Sequence, residues 1–559
     1  MKIIVIGAGP GGYETALLAA KRGVEVVLIE AGHVGGTCLN EGCIPTKTFC
    51  KNAEVLDSLK EAETFGVTDL SYGFDFKAVT ARKNAVVEQL RAGVEGLLGH
   101  KLITLVRGKA SFKDAHTVLV TPVDPSHHCE ERTLSGHSDE QGDVATSTEY
   151  TADYIIIATG SVSASLPVPG ADLPGILTSR EILDLQEVPK SLCVIGGGVI
   201  GLEFASIFRS FGSEVTVLEY CKDILPRFDT DLAKRLKQSL GRRGINIETQ
   251  AQVTGVEILR CAQDDKDCAQ DDKDCAQDDM GCTQDDKDCA QDDMGCTQDD
   301  KGCAQDDKGR AQDDKDCTQD EKEIYQVNYT RKGKEESVQA EKVLMAVGRR
   351  ANLDSMNYSD IGLECTRRGI SVNENMQTNL PHVYAIGDIN GLMMLAHAAT
   401  FQGIVALDHI MGVKNEIDLS VMPAAVFTSP EAASVGLTED ECKDKGIPVK
   451  CLKSFFRANG KAVTMGETDG FCKIVVAAEQ KSVVAADPEP ETLDCKAILD
   501  PSEFEPGRVL GCHLYGPHAS DIVQEACAMI TRKATLEEFQ SIIHTHPTLT
   551  EVLQSALHS

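Results

Sequence analysis

At 559 residues, 42% of them hydrophobic, the chain is long enough for several domains with cores of their own. Its formal charge of -32 excludes a nucleic-acid backbone as partner, since that needs a basic footprint, and sets the surface against anionic lipid. No apolar run approaches the roughly 20 residues of a membrane span. A strand starting at Lys2 leaves no room for a cleavable signal. The expected compartment is therefore the cytoplasm, where most of the 21 cysteines stay reduced and a disulfide would be catalytic rather than structural.

The first element, Lys2 to Ile6, is an apolar β run that feeds Gly7, Gly9 and Gly12, a small-residue helix from Tyr13 to Lys21, and a second strand, Glu25 to Ile29, ending at Glu30. This is a dinucleotide fingerprint. The first glycine permits the tight turn, the second admits a pyrophosphate to backbone N–H groups, the third lets helix and strand pack, and Glu30 suits a ribose hydroxyl. Next comes GGTCLNEGCIPTK, Gly35 to Lys47, with Cys38 and Cys43 five residues apart. In a regular helix their Cα atoms would lie about 8 to 9 Å apart, beyond the roughly 7 Å that a disulfide spans. Either the backbone is distorted there, which Pro45 and the glycines favour, or the two cysteines are unrelated; the residues alone leave both readings open.

Ala53 to Leu98 reads as helical from apolar spacings of three and four, and Lys101 to Val123 as short strands around GKASF. Asp124 to Thr148 is polar and reads as a solvated hairpin insertion; its His127, His128 and Cys129 have neither the spacing nor the company of a metal site. YIIIATGS, Tyr154 to Ser161, is a β run ending in Thr159 and Gly160. A second fingerprint follows: strand, Gly196, Gly198 and Gly201, helix, then SEVTVLEY with Glu219 closing the next strand. An acid there favours the free 2′-hydroxyl of NAD over NADP. Two fingerprints imply two dinucleotides, one a fixed electron relay and one exchanged.

From Cys261 to Glu323 runs a sevenfold repeat, CAQDDKD with small changes, holding eight of the 21 cysteines. A coiled-coil seam needs two apolar positions per heptad, and Cys beside Ala does not supply it. The cysteine gaps are wrong for zinc and the aspartates for a calcium loop. Acidic and free of aromatics, the tract is expected to be disordered. It separates VTGVEIL from EIYQVNYT, read as two strands of one hairpin, where lengthening a turn costs only about 0.6 kcal/mol per doubling. A third insertion, Asp487 to Gly507, separates FCKIVVAAE from RVLGCHLYG by the same logic. The remaining motifs are EKVLMAVGRRAN (Glu341 to Asn352), VYAIGDI (Val383 to Ile389), MLAH (Met394 to His397), FTSPEAASVGLTEDE and, near the end, HTHPTLTEVL. Pro547 fits a first helical position, which would put His546 at the cap and Glu551 one turn in, with His544 a competitor for any base role.

Outside the three insertions, these motifs together resemble the flavin disulfide reductases, and within that family the dihydrolipoamide dehydrogenases. The resemblance implies an α/β fold of two Rossmann-like dinucleotide-binding domains, one for FAD and one for NAD, plus a C-terminal α+β dimerisation domain. It implies boundaries at 1–162 and 350–420 for the FAD domain, 163–349 for the NAD domain with the repeat as an insertion at 261–323, and 421–559 for the dimerisation domain. Cys38 and Cys43 become the redox pair, and His546, oriented by Glu551, the base that deprotonates a substrate thiol. Around FAD it places Gly7, Gly9, Gly12, Glu30, Lys47, Ala110, Thr159, Gly160, Ser161, Asp388 on the ribityl chain, and Met394, Leu395, Ala396 and His397 beside the ring. Around NAD it places Gly196, Gly198, Gly201, Glu203, Glu219, Val253 and Gly348, with Glu203 also the expected partner of Lys47. No metal is implied. The family usually has proline where Ala351 stands, a departure that touches a turn rather than the chemistry.

The implied partners are a second copy of the chain, whose histidine serves the disulfide across the interface, and the lipoyl domains of 2-oxo acid dehydrogenase or glycine cleavage complexes. Two other readings compete. One is a flavin disulfide reductase for another thiol, disulfide or metal-ion acceptor such as mercuric ion, against which stand the retained His546 and a C-terminus, LQSALHS, without paired cysteines. The other is a flavin-bearing scaffold without activity, against which stand the intact Cys38, Cys43 and His546.

Overall fold

The computed structural model describes residues 1–123, 147–259, 323–479 and 504–559. The repeat and the His127–Cys129 cluster lie outside these. Three five-stranded sheets organise the described chain. The first is wholly parallel, in the order Val383–Ala385, Tyr154–Ile157, Lys2–Ile6, Glu25–Glu30, Ile103–Arg107. Ile3, Ile4, Val5 and Ile155 to Ile157 are fully buried, the unbroken apolar signature of strands covered on both faces. Its edge strand comes from far along the chain, so the first fingerprint is completed by residues beyond 380. The fingerprint helix, Pro10–Lys21, packs so closely on helix Ala396–Ile410 that a Cβ on Gly403 would stand 1.9 Å from the Thr15 hydroxyl.

The second sheet repeats the plan: Ile245–Thr249, Glu214–Glu219, Ser191–Ile195, Lys342–Met345 and Ile176–Leu177, all parallel. Helix Val199–Phe211, from the second fingerprint, is buried along nearly its whole length against helix Cys43–Lys60. Phe49, Phe76, Phe208 and Phe211 interlock there, with centroids 5.7 to 6.4 Å apart between Phe76, Phe208 and Phe211, and Phe49 edge-on to Phe211 at 5.9 Å. Each ring contributes roughly 2 kcal/mol by burial. This cluster holds the two dinucleotide-binding units in one orientation.

The third sheet is antiparallel, in the order Ala424–Val426, Glu431–Gly436, Val509–Gly516, Phe471–Ala477, Val449–Phe455, with helices Ala519–Thr531 and Glu551–Leu557 packed on it. Lys473, 1% exposed on its central hairpin, reaches back to the second unit, where its Nζ lies 2.9 Å from Asp229 and 3.2 Å from Asp231, and also meets Glu439 of its own unit at 2.5 Å. A buried ammonium is tolerable only with such partners.

All three insertion sites prove to be hairpin joints. Thr117–Thr121 pairs antiparallel with Thr148–Thr151, Ala251–Leu259 with Ile324–Arg331 in a register that ends on Leu259 opposite Ile324, and Phe471–Ala477 with Val509–Gly516. One expectation fails. Ala53 to Leu98 is not one helical stretch: helix Cys43–Lys60 gives way to a 3-10 turn, Ala62–Phe65, and an extended loop before helix Phe76–Leu98 starts. Gly66 ends the turn at φ +80, and Asp75 caps the new helix by accepting from the N–H groups of Lys77 and Ala78. No helix among the described residues is long and apolar enough to cross a membrane.

Candidate functional site

The structure resolves the open question about the cysteines by breaking the helix between them. Cys38 lies in helix Gly36–Glu41 and Cys43 begins helix Cys43–Lys60, with Gly42 at φ -142, ψ -108 as the joint. A Cβ on Gly42 would stand 2.9 Å from the Thr37 carbonyl oxygen, so only glycine lets the two helices fold back this tightly. The result is that the two side chains, both of them free, half-buried thiols, stand close enough to bias each other's ionisation. Accepting from the Cys38 thiol, and then the Lys47 charge, lower Cys43 to about 7 against the opposing effect of burial. Cys38 is correspondingly raised by the same bond and by burial. Cys43 also opens an 18-residue helix, whose N-terminal dipole favours a thiolate. The pair therefore takes up its one negative charge around neutral pH, and takes it up on Cys43.

Lys47 sits one helical turn beyond Cys43, on the same face. Its Nζ donates to both Glu203 oxygens, at 2.9 and 2.8 Å, and lies 4.4 Å from the centre of the Phe427 ring. Burial would lower this lysine, but the Glu203 carboxylate outweighs it and holds the ammonium above the usual range. Glu203, 3% exposed, also accepts from the Phe427 N–H at 3.0 Å. The pairing expected for Lys47 is thus formed by a residue also expected at NAD, and Glu203 does line the shared cleft.

The two fingerprints superpose in detail. Gly7 and Gly196 have φ of +100 and +114, and a Cβ on either would come within 2.3 Å of a carbonyl oxygen, that of Ala158 or Ala346. Glu30 accepts from the N–H groups of Ala8 and Gly32 at 2.6 and 2.7 Å; Glu219 accepts from those of Gly197 and Cys221 at 2.5 and 2.6 Å. Each carboxylate thereby stands beside the turn after the first glycine. Gly9 and Gly198 cap helices Pro10–Lys21 and Val199–Phe211, and a Cβ on Gly198 would meet nothing within 4 Å, which leaves the helix N-terminus open to a pyrophosphate. Both cradles fit a dinucleotide.

Between them runs one continuous cleft that Cys38, Cys43, Lys47, Ala110, Val253 and Gly348 all line. Thr159, Gly160 and Asp388 line it too, as do Met394 to His397, where helix Ala396–Ile410 starts with Leu395 as its cap. The Ser161 hydroxyl donates to Asp388 at 2.5 Å and accepts from Arg349 Nε at 2.7 Å. Burial raises Asp388 against the pull of Ser161 and Arg349. Arg349 escaped the sequence reading although it stands next to Gly348; a charged pair, Arg349 and Arg350, a few residues after a buried strand was the available signal.

His546 and Glu551 meet as expected, though not by the expected route. His546 Nδ1 lies 2.9 Å from Glu551 Oε1, and the other carboxylate oxygen accepts from the Thr548 N–H at 2.8 Å. These two bonds hold Glu551 below the usual carboxylate range. The helix begins at Glu551 and not at Pro547: a cis His546–Pro547 bond turns the chain, Thr550 caps the helix, and the loop folds the histidine back over the first turn. His544, the competitor, is withdrawn; its side chain is 3% exposed and bonds Glu525 at 2.9 Å. The His546 side chain is 79% exposed, and neither it nor Glu551 lines the cleft of its own chain.

The pyridine nucleotide-disulphide oxidoreductase family model matches residues 1–316 and 312–403, and the dimerisation-domain model of the same family matches residues 422–488 and 491–557. Dihydrolipoyl dehydrogenase from Chlamydia muridarum is 35% identical over 558 residues, covering 99% of this chain and 96% of its own. That of Bacillus subtilis is 34% identical, covering 99% and 96%. Among solved structures, LpdA from Mycobacterium tuberculosis has a TM-score of 0.75 at 22% identity, covering 100% of this chain and 99% of its own. The HOCl-induced flavoprotein disulfide reductase RclA from Escherichia coli has 0.71 at 23%, covering 100% and 99%. The two structural likenesses speak for the fold.

Proposed function

Because the chain belongs to the pyridine nucleotide-disulphide oxidoreductase family, we propose that it is a dihydrolipoamide dehydrogenase, moving an electron pair from protein-bound dihydrolipoamide through Cys38, Cys43 and FAD to NAD+. The observation that carries this reading is the contact between the two thiols in a cleft shared by both dinucleotide cradles. In the oxidised protein Cys38 and Cys43 form a disulfide. His546, with Glu551 on its Nδ1, takes a proton from one substrate thiol, because thiols near pKa 8.5 are mostly protonated at neutral pH. The thiolate attacks Cys38 and the Cys43 sulfur leaves as a thiolate, stabilised by the Lys47 charge and its helix N-terminus. The second substrate thiol then displaces Cys38, releasing oxidised lipoamide and leaving the dithiol. FAD, when bound against the first fingerprint, supplies the two-electron passage from this dithiol to NAD+, which leaves as NADH.

Asp388, Ser161 and Arg349 form the polar cluster that would meet the FAD ribityl chain, and Glu30 and Glu219 the acids that would meet the ribose hydroxyls. His546 is exposed and outside its own chain's cleft, which supports a homodimer in which each copy's histidine completes the other's cysteine site. Lipoyl domains are the macromolecular partners and the cytoplasm the compartment. The test is NAD+ reduction by dihydrolipoamide with the purified yellow protein, beside Cys43→Ser. Turnover that survives this substitution, or a protein that stays colourless after reconstitution with FAD, would end the reading.

A further inference from the structure

A second pair of thiols meets in the core of the third sheet. Cys472 and Cys512 stand on the adjacent strands Phe471–Ala477 and Val509–Gly516, and their sulfurs are 3.9 Å apart. Cys472 lies opposite Leu514 and Cys512 opposite Ile474, so the two are diagonal neighbours on one face of the ladder. Both are free thiols and fully buried, in the apolar layer where helices Ala519–Thr531 and Glu551–Leu557 cover that face.

Buried cysteines are most often small hydrophobes; the contact between the sulfurs and the path of the chain set this pair apart. Bonding needs the sulfurs to close from 3.9 Å to roughly 2 Å, a step on the scale of a side-chain rotation. A metal between them would need further ligands, and no group of three or more His, Cys, Asp or Glu among the described residues could hold one. The two strands are hydrogen-bonded, yet the chain joins them only by way of the third insertion, and the cysteines are 40 positions apart. A bond between them ties the strands directly. Everything downstream of Cys512, including both covering helices and the His546 loop, is then held to the rest of the sheet by two covalent routes.

We propose that Cys472 and Cys512 are an oxidation site, a second dithiol that hydrogen peroxide or another small hydroperoxide closes into an internal disulfide. With hydrogen peroxide, one sulfur attacks an oxygen, S–O forms as O–O breaks, and a water leaves behind a sulfenic acid. The other sulfur attacks the first, S–S forms as S–O breaks, and a second water leaves. The two thiols lose an electron pair to the peroxide and their two protons end in water. Contact with Cys512, and then burial, hold the Cys472 thiol well above the usual range. Because the thiolate is the nucleophile, closure is slower here than at Cys38 and Cys43. None of these steps involves the dinucleotides or the substrate thiol, so the site stands apart from the proposed function.

The experiment treats the full-length, FAD-loaded protein with hydrogen peroxide, denatures it in N-ethylmaleimide, digests it with trypsin without reduction and maps the peptides by mass spectrometry. Peptide 462–473 is expected joined to peptide 509–532 through Cys472 and Cys512, beside the Cys38–Cys43 link. Closure is expected to raise the melting midpoint, followed by circular dichroism, by roughly 5 °C, because the bond restricts the unfolded chain. Dithiothreitol reverses that rise, and Cys512→Ala shows none. Three results overturn the proposal: separate maleimide adducts of Cys472 and Cys512 in protein whose Cys38–Cys43 pair is oxidised, a link that runs through Cys527 instead, or an unchanged midpoint after closure. The mapping needs no variant, so it decides the matter even where Cys512→Ala fails to fold.

Discussion

The cysteine end and the histidine end of the proposed site are built in opposite ways. Cys38, Cys43, Lys47 and Glu203 are half-buried or buried, drawn from two dinucleotide-binding units of one chain, and locked by a phenylalanine cluster and a carboxylate with both oxygens in use. His546 stands on a loop, 79% exposed, tied only to the start of a seven-residue helix. Redox poise is therefore a property of the folded single chain, whereas proton handling has to be delivered from a surface. Assembly should govern turnover and leave flavin binding alone.

The sharpest way to break this contrast is at the cysteines. Cys43→Ser is expected to lower dihydrolipoamide-dependent NAD+ reduction by more than about a thousandfold with flavin retained, measured by steady-state kinetics and the visible spectrum. His546→Gln should cost about a hundred- to ten-thousandfold in kcat. These two inactive proteins, unfolded and reassembled together, should recover about a quarter of wild-type activity, because half the dimers are mixed and each mixed dimer has one intact site. No recovery on mixing would mean that the histidine serves its own chain. Glu551→Gln, which keeps the ring's neighbour but not its charge, is expected to lower kcat roughly tenfold to a hundredfold.

The smallest effect tests the cysteine side alone. In the reduced protein, the thiolate absorbance that Cys43→Ser removes should rise with pH around a midpoint of about 7. Below that pH Cys43 binds a proton; above it Cys43 carries the negative charge, stabilised by the Cys38 thiol and the Lys47 ammonium. Lys47→Met removes a stabilising cation, so the midpoint must move upward. A midpoint that stays put would show that Lys47 does not act on Cys43.

Much of this was legible because its causes are local. Glycines with fixed roles announce both cradles, and strand-like runs on either side of the second and third insertions announced their hairpins. The Lys47–Glu203 pair was found through family resemblance, as spacing alone does not connect residues so far apart in sequence. What escaped depends on tertiary context. Nothing in the residues around Gly42 tells how tightly two helices fold at it, and the HPT loop bends by a cis bond that sequence reads as a helix start. Lys473 looks like any strand lysine until Asp229, Asp231 and Glu439 arrive from elsewhere. Arg349 acquires meaning only where Ser161 and Asp388 close around it.

The hairpin joints have a consequence for connectivity. Each long segment leaves one strand and returns to the strand beside it, which is already hydrogen-bonded to the first. The polypeptide can therefore be nicked at any of the three, or circularly permuted to begin there, with every ladder still able to form. Such molecules would differ in the order in which their parts emerge during synthesis, and share one final arrangement of cysteines, cradles and histidine.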